Sequence, residues 1–208
     1  YYKILSISDV ARDLTDKGTK QDKETLLRMH RELEDVFVQL GIAISWVDPD
    51  PRFGWQISTR DTGTNTPQGI LIGRFRYVER QGEEICVQKA YERLGEKVVG
   101  RITRGCVEGG DCVWLDEKTL IIGNGNRSTY SGFENAKEIM NTYGIRVFVV
   151  EFLSKWNHLD IIFSPVAEKS AVICEDAVPD YFIGFLDAMG WELIRVPGEY
   201  AFHCEINM

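Results

Sequence analysis

The chain has 208 residues, 44% of them hydrophobic, enough for one sizeable core, and its 24 Lys and Arg against 32 Asp and Glu leave a formal charge of −8. That balance, with no basic run, disfavours nucleic acid as a partner; no apolar stretch reaches the roughly 18 residues of a membrane span, and the opening YYKILSISDV lacks the basic flank and cleavage pattern of a signal peptide. Five cysteines, at 86, 106, 112, 174 and 204, are odd in number and dispersed, which suits free thiols in a reducing, cytoplasmic compartment better than a disulfide framework.

In chain order, four amphipathic helical runs each end in a glycine, as a helix C-terminus favours, and pass at once into an apolar strand. Leu26, Met29, Leu33, Val36, Phe37 and Leu40 line one face of the first, and Gly41 leads into IAISWV. EEICVQKAYERLG runs into EKVVGRI, FENAKEIMNTYG into IRVFVVEFL, and DYFIGFLDAMG into WELIRV. Between these lie strand-like runs, GILIGRF, CVWLDEKTLIIG and DIIFSPVAEKSAVIC, so each unit holds about one helix and three short strands.

Gly41, Gly95, Gly144 and Gly190 are separated by 54, 49 and 46 residues, a period close to fifty. A unit of that size cannot cover its own helix and sheet, and stacking like units does so. A closed ring of αβ modules, propeller-like and without free sheet edges, is the expected architecture; the alternative is an ordinary α/β or α+β protein in which the helix–Gly–strand junction recurs by chance. The period also groups titratable residues. Asp61 lies 20 residues beyond its capping glycine, Glu108 lies 13, His158 lies 14 and His203 lies 13, with Asp111 and Asp160 close behind Glu108 and His158. In a ring these side chains would converge on one site.

The motifs TRDTG, EGGD, GNGNRST and HLD, in that order, resemble the guanidine-modifying enzymes of the pentein superfamily: arginine deiminases, dimethylarginine dimethylaminohydrolases and amidinotransferases. The resemblance implies a five-bladed αβ propeller, of which residues 1–208 would supply four modules as one domain lacking its C-terminal module. It further implies that Asp61 and Asp160 hold a substrate guanidinium, that Glu108 also contacts it and that His158 is the general acid/base. Arg127, and less clearly Arg80 in YVERQGEE, would bind an amino-acid carboxylate, and Asp111 would add a polar contact. Paired carboxylates suit a planar, permanently cationic guanidinium because both sides are fork-shaped. The implied substrate is a small arginine-like guanidine, with no cofactor and no metal; a homodimer is compatible with the sequence.

Such chemistry needs a cysteine thiolate, which the family carries near its C-terminus, one module beyond AFHCEINM. Cys204 is the near-terminal candidate, with a buried core thiol as its ordinary alternative. Cys106 and Cys112, six apart and without a second pair, fit strand packing better than a zinc site. GNGN lacks the Lys-Ser/Thr continuation of a phosphate loop and reads as a turn, and His30 as an ordinary helix side chain. Three activities follow: hydrolysis of a guanidinium C–N bond through an amidino-cysteine intermediate, amidino transfer to an amine, or guanidine binding without turnover. A carboxylate clamp at Arg127 would argue against agmatine.

Overall fold

The structure is a computed structural model that describes residues 16–18 and 22–202. It opens with helix α1 (Lys23–Gln39), started by the Asp22 side chain, which accepts from the Glu24 and Thr25 amides. Three units of one design follow. The first is β1 (Gly63–Thr66), β2 (Gly69–Ile72), helix α2 (Glu83–Arg93) and β3 (Val98–Arg101); the second is β4 (Cys112–Asp116), β5 (Thr119–Asn124), α3 (Tyr130–Asn141) and β6 (Arg146–Glu151). The third is β7 (Phe163–Ala167), β8 (Ser170–Ile173), α4 (Asp180–Ala188) and β9 (Glu192–Arg195), and a short helix α5 (Gly198–Phe202) ends the described chain. In every unit a tight hairpin is antiparallel, and the helix carries the chain back so that the last strand lies parallel to the middle one.

The four glycines end their helices as the sequence predicts. Gly41, Gly95, Gly144 and Gly190 have φ of 71, 74, 72 and 73°, the left-handed region where a Cβ is costly. In each case the next residue donates its N–H to the carbonyl five positions earlier, as Ile145 does to Met140 at 3.2 Å and Trp191 to Leu186 at 3.0 Å. After Gly95, Gly144 and Gly190 this closure turns the chain within three residues from helix into parallel strand.

The middle strands read as unbroken apolar runs because both of their faces are covered. On β5, Leu120 and Ile122 join a core with Leu71, Val99, Phe133 and Met140 between the first and second units. Ile121, pointing the other way, joins Phe163, Phe182 and Trp191 between the second and third. One strand thus ties two cores together through its period of two.

The closed propeller is not found. Among the described residues the strands form three separate open sheets of three strands each, ordered β1-β2-β3, β4-β5-β6 and β7-β8-β9. No ladder joins one sheet to the next, and Arg74 and Val107 form a lone bridge outside the strands. The units meet through side chains and short turns instead, which leaves sheet edges unpaired. The first expected module also departs from the reading: residues 42–47, IAISWV, form no strand, and α1 has no buried residue, its Met29, Leu33, Val36 and Leu40 all exposed. An apolar stripe at helical spacing forms the helix, but only a neighbouring element could bury it.

Candidate functional site

Each unit opens with a single 3-10 turn just before its hairpin: Thr59–Thr62, Gly109–Asp111 and Leu159–Ile161. Their starts are fifty residues apart, so the true repeat begins at the polar motifs. The turns pack on one another because Gly109 and Gly110 carry no side chain. A Cβ on Gly109 would lie 2.0 Å from the Arg60 carbonyl oxygen and 2.2 Å from that of Gly63, and one on Gly110 would lie 2.7 Å from the His158 ring. This close approach brings Asp61, Glu108, Asp111, His158 and Asp160 into one cluster.

His158 is its centre, buried among carboxylates. Its Nδ1 lies 3.4 Å from Asp111 Oδ1, and its Nε2 lies 3.6 Å from Asp61 Oδ1 and 3.8 Å from Glu108 Oε2. Neither nitrogen makes an in-line hydrogen bond, so the ring is held by charge. Asp111 is anchored on both oxygens, Oδ1 accepting from the Leu159 amide at 3.0 Å and Oδ2 from the Ser128 hydroxyl at 2.5 Å. Ser128 Oγ also accepts from the Glu108 amide at 3.1 Å, and Glu108 Oε1 accepts from the Arg76 amide at 3.1 Å.

Two buried arginines complete the cluster. Arg80 Nη1 donates to Asp61 at 2.6 Å while its Nε and Nη2 both donate to Glu83. Arg127 Nη1 donates to Glu108 at 3.3 Å while its Nε and Nη2 both donate to Asn157. At the exposed rim, Arg60 Nε lies 3.6 Å from Asp160 Oδ2. Asp160 Oδ1 is buried with no hydrogen-bond partner.

The charges shift one another. Burial alone would push the His158 imidazole down, but Asp111, Asp61 and Glu108 outweigh it and raise it to about 9. Burial lifts Asp160 to about 6 against the pull of His158 and Arg60, and lifts Glu108 above the usual carboxylate range against His158 and Arg127. Asp61 is also penalised by burial, yet His158 and Arg80 hold it below its ordinary value. Asp61, Glu83, Glu108, Asp111 and Asp160 are five carboxylates facing three buried cations, Arg80, Arg127 and His158, with Arg60 a fourth at the rim. On formal charge, five acids against four cations leave one negative charge in excess, which favours a further cation.

The arginine deiminase family model matches residues 47–183, well over half of the chain. The chain belongs to the arginine deiminase family. Two uncharacterised proteins are similar to this arginine deiminase family member: one of Caenorhabditis elegans, 28% identical over 86% of this chain, and YkgA of Bacillus subtilis strain 168, 27% identical over 98%. The chain spans 61% of the first relative's length and 70% of the second's. A solved dimethylarginine dimethylaminohydrolase adduct with 4-chloro-2-hydroxymethylpyridine aligns with a TM-score of 0.74 at 21% identity, covering 99% of this chain and 79% of that one. DDAH from Pseudomonas aeruginosa, complexed with citrulline, gives 0.72 at 21% identity over 88% of this chain and 69% of that one. The N-terminal domain of ArgZ, an arginine dihydrolase from cyanobacteria bound to product, gives 0.77 at 20% identity over 89% and 68%. These likenesses are of fold.

Of the residues singled out in this family member's sequence, the structure brings together Asp61, Glu108, Asp111, His158, Asp160, Arg80 and Arg127; Cys204 and His203 lie outside the described residues. Both arginines already hold site carboxylates. Cys112 is a buried strand thiol as read, whereas Cys106 sits in a loop. Neither joins a metal-type cluster, but Asp61, Glu108 and His158 each offer a donor atom within 4.8 Å of the others and could hold a cation as a set. GNGN runs from the end of β5 into a bend, as read: Arg76 donates to the Gly125 and Asn126 carbonyls, and the Tyr77 hydroxyl to the Asn126 side chain, next to Arg127. His30 stacks on Trp46, away from the cluster. The sequence reading missed Glu83, Ser128 and Asn157. Glu83 was visible as an acid three residues after Arg80, the spacing of a helical ion pair, and the other two adjoin Arg127 and His158.

Proposed function

We propose that this cluster binds the guanidinium group of a small arginine-like molecule and that the protein hydrolyses one of its C–N bonds. The observation that carries the reading is the convergence of three turns, fifty residues apart, into a buried cluster with surplus negative charge. A guanidinium is planar and always charged, and Asp61, Glu108 and Asp160, the last with an unpartnered buried oxygen, can meet its edges with charge-assisted hydrogen bonds.

Hydrolysis needs a thiolate. Its sulfur attacks the guanidinium carbon, and the C–N bond to the leaving amine breaks with its electron pair on nitrogen, which takes the proton that His158 carries at neutral pH. Neutral His158 then removes a proton from water, whose oxygen adds to the amidino carbon; the C–S bond breaks, leaving a urea-type product and the thiolate. The Cys86, Cys106, Cys112 and Cys174 thiols each donate to a backbone carbonyl, at Gly82, Phe75, Glu108 and Pro197. Burial raises the first three, Cys112 to about 12, so none of those three is poised as a nucleophile. Cys204 is the thiol to test. Hydrolysis is preferred to amidino transfer because similar folds hold citrulline or product of an arginine dihydrolase.

Calorimetric titration with L-arginine, Nω,Nω-dimethylarginine and agmatine, alongside assays for citrulline and released amine, tests the reading. Saturable binding that Asp61→Asn and Glu108→Gln each weaken about tenfold or more is expected. Absence of binding to all three would refute it. Binding without turnover, unchanged by Cys204→Ser, would favour a guanidine-binding relative. A divalent ion is the competing cation for the Asp61, Glu108 and His158 set; metal binding that Asp61→Asn abolishes and that guanidines do not compete with would favour it.

A further inference from the structure

Arg80 and Arg127 are held by one scheme from unrelated parts of the chain. The Nε and Nη2 of Arg80, the side-on bidentate edge of its guanidinium, converge on Glu83 Oε2 at 3.0 and 2.9 Å; the same edge of Arg127 converges on Asn157 Oδ1 at 3.0 and 2.8 Å. Nη1 is aimed at Asp61 in one case and Glu108 in the other, and Arg80 Nη2 also donates to the Ser58 carbonyl at 3.4 Å. Each guanidinium also lies over an aromatic face, Arg80 over Phe75 at 4.1 Å and Arg127 over Tyr77 at 4.7 Å.

An unrestrained arginine would use the fork itself on the nearest carboxylate, because two parallel N–H bonds match two carboxylate oxygens. Here that would draw Asp61 or Glu108 into a closed pair and leave fewer of its lone pairs for an incoming cation. With the side-on edge covered, each arginine places one nitrogen, Nη1, on the acid. Asp61 Oδ1 stays turned to His158, and Glu108 keeps Oε1 on the Arg76 amide.

The geometry points to Glu83 and Asn157 as positioning residues: each covers the bidentate edge of a buried arginine and so fixes how Asp61 and Glu108 are presented to a ligand. Only the ligand-binding half of the test rests on the guanidine reading.

The test compares Asn157→Leu, which removes the acceptor, with Asn157→Asp, which keeps it, and Glu83→Leu with Glu83→Gln, all in the full chain. One readout is exchange of the Arg80 and Arg127 Nε–H protons by proton–nitrogen NMR, assigned with Arg80→Lys and Arg127→Lys. The other is affinity for methylguanidine, which carries no carboxylate. Each Leu variant should speed Nε–H exchange of its own arginine about tenfold or more and weaken methylguanidine binding about tenfold, and Asp or Gln should restore both to within about threefold. Leu variants that keep their Nε–H protection and bind within twofold of the parent would overturn the proposal. So would losses that Asp and Gln fail to restore although melting temperatures match the parent's. If Glu83→Leu does not fold, the half-buried Asn157 pair decides. If the parent binds neither methylguanidine nor any of L-arginine, Nω,Nω-dimethylarginine and agmatine, the guanidine reading fails while Nε–H exchange still judges the two positioning residues.

Discussion

Replacing Asp111 with Asn removes a charge from beside His158 while sparing the fold. The amide oxygen can still accept from the Leu159 N–H, and the new amide nitrogen can donate to Ser128 Oγ, where a 2.5 Å bond now runs the other way. His158, raised to about 9 from an ordinary value near 6.5, is a cation stabilised by folding. Its contribution is therefore fully present below pH 6.5 and is lost as pH rises through 9, and the shift corresponds to about 3 kcal/mol. At the 3.4 Å separation of Nδ1 and Asp111 Oδ1, a Coulomb attraction of about 5 kcal/mol at an effective dielectric near 20 bounds what Asp111 supplies. Asp61 and Glu108 remain, so His158 in Asp111→Asn should titrate about two units lower, and the alkaline loss through His158 should shrink to about 1 kcal/mol. Imidazole NMR between pH 5 and 10 reads the first directly, since the chain has three histidines and His158→Gln assigns the signal. Urea unfolding at pH 6.5 and 9.5 reads the second, with the cysteines and lysines common to both proteins cancelling in the difference. A variant that still titrates near 9, or that loses as much stability as the parent, would refute the view that Asp111 holds the imidazole charged.

Asp160 should behave oppositely to an ordinary paired acid: lifted to about 6 by burial from an ordinary value of 3.8, it lowers stability progressively as pH rises from 3.8 to 6 and by its full amount above 6, so Asp160→Asn should stabilise the ligand-free protein by about 1–3 kcal/mol at pH 7 and by less at pH 5 in urea unfolding. The same variant should lose guanidine affinity, a trade of function against stability that calorimetry would register. Gly110→Ala, whose Cβ would sit 2.7 Å from the His158 ring, should cost about 1–3 kcal/mol and lower the His158 titration by pushing the ring off its carboxylates; an unchanged titration would show that the ring does not depend on Gly110. Cys112, buried and pushed up to about 12, should resist iodoacetamide in the native protein at pH 8 and react after unfolding, as peptide mass spectrometry would show.

Much of the local structure was legible in the sequence. Helix–Gly–strand junctions rest on interactions within a few residues of each glycine, and the left-handed caps at Gly41, Gly95, Gly144 and Gly190 follow from that local chemistry. Period-two burial explains why TLIIG reads as one apolar run. The polar motifs, too, were visible as a spaced set. What did not follow was closure, because whether sheets join into a ring depends on which edges meet, and edge backbone looks alike in every strand. Nor did the stripe on α1 reveal its exposure, since amphipathicity records a capacity for burial and not the presence of a neighbour.

By itself the sequence determined the helices, their glycine caps, the strands of the three folded units and the residue types able to grip a cation, but not that IAISWV would form no strand. Tertiary structure alone decided that Gly109 and Gly110 stack three turns, that His158 stands among three carboxylates, and that Glu83 and Asn157 cover the arginine forks. Such contacts join residues up to 97 positions apart, as between Asp61 and His158, and Coulomb energy and burial depend on distance in space, which spacing along the chain does not set.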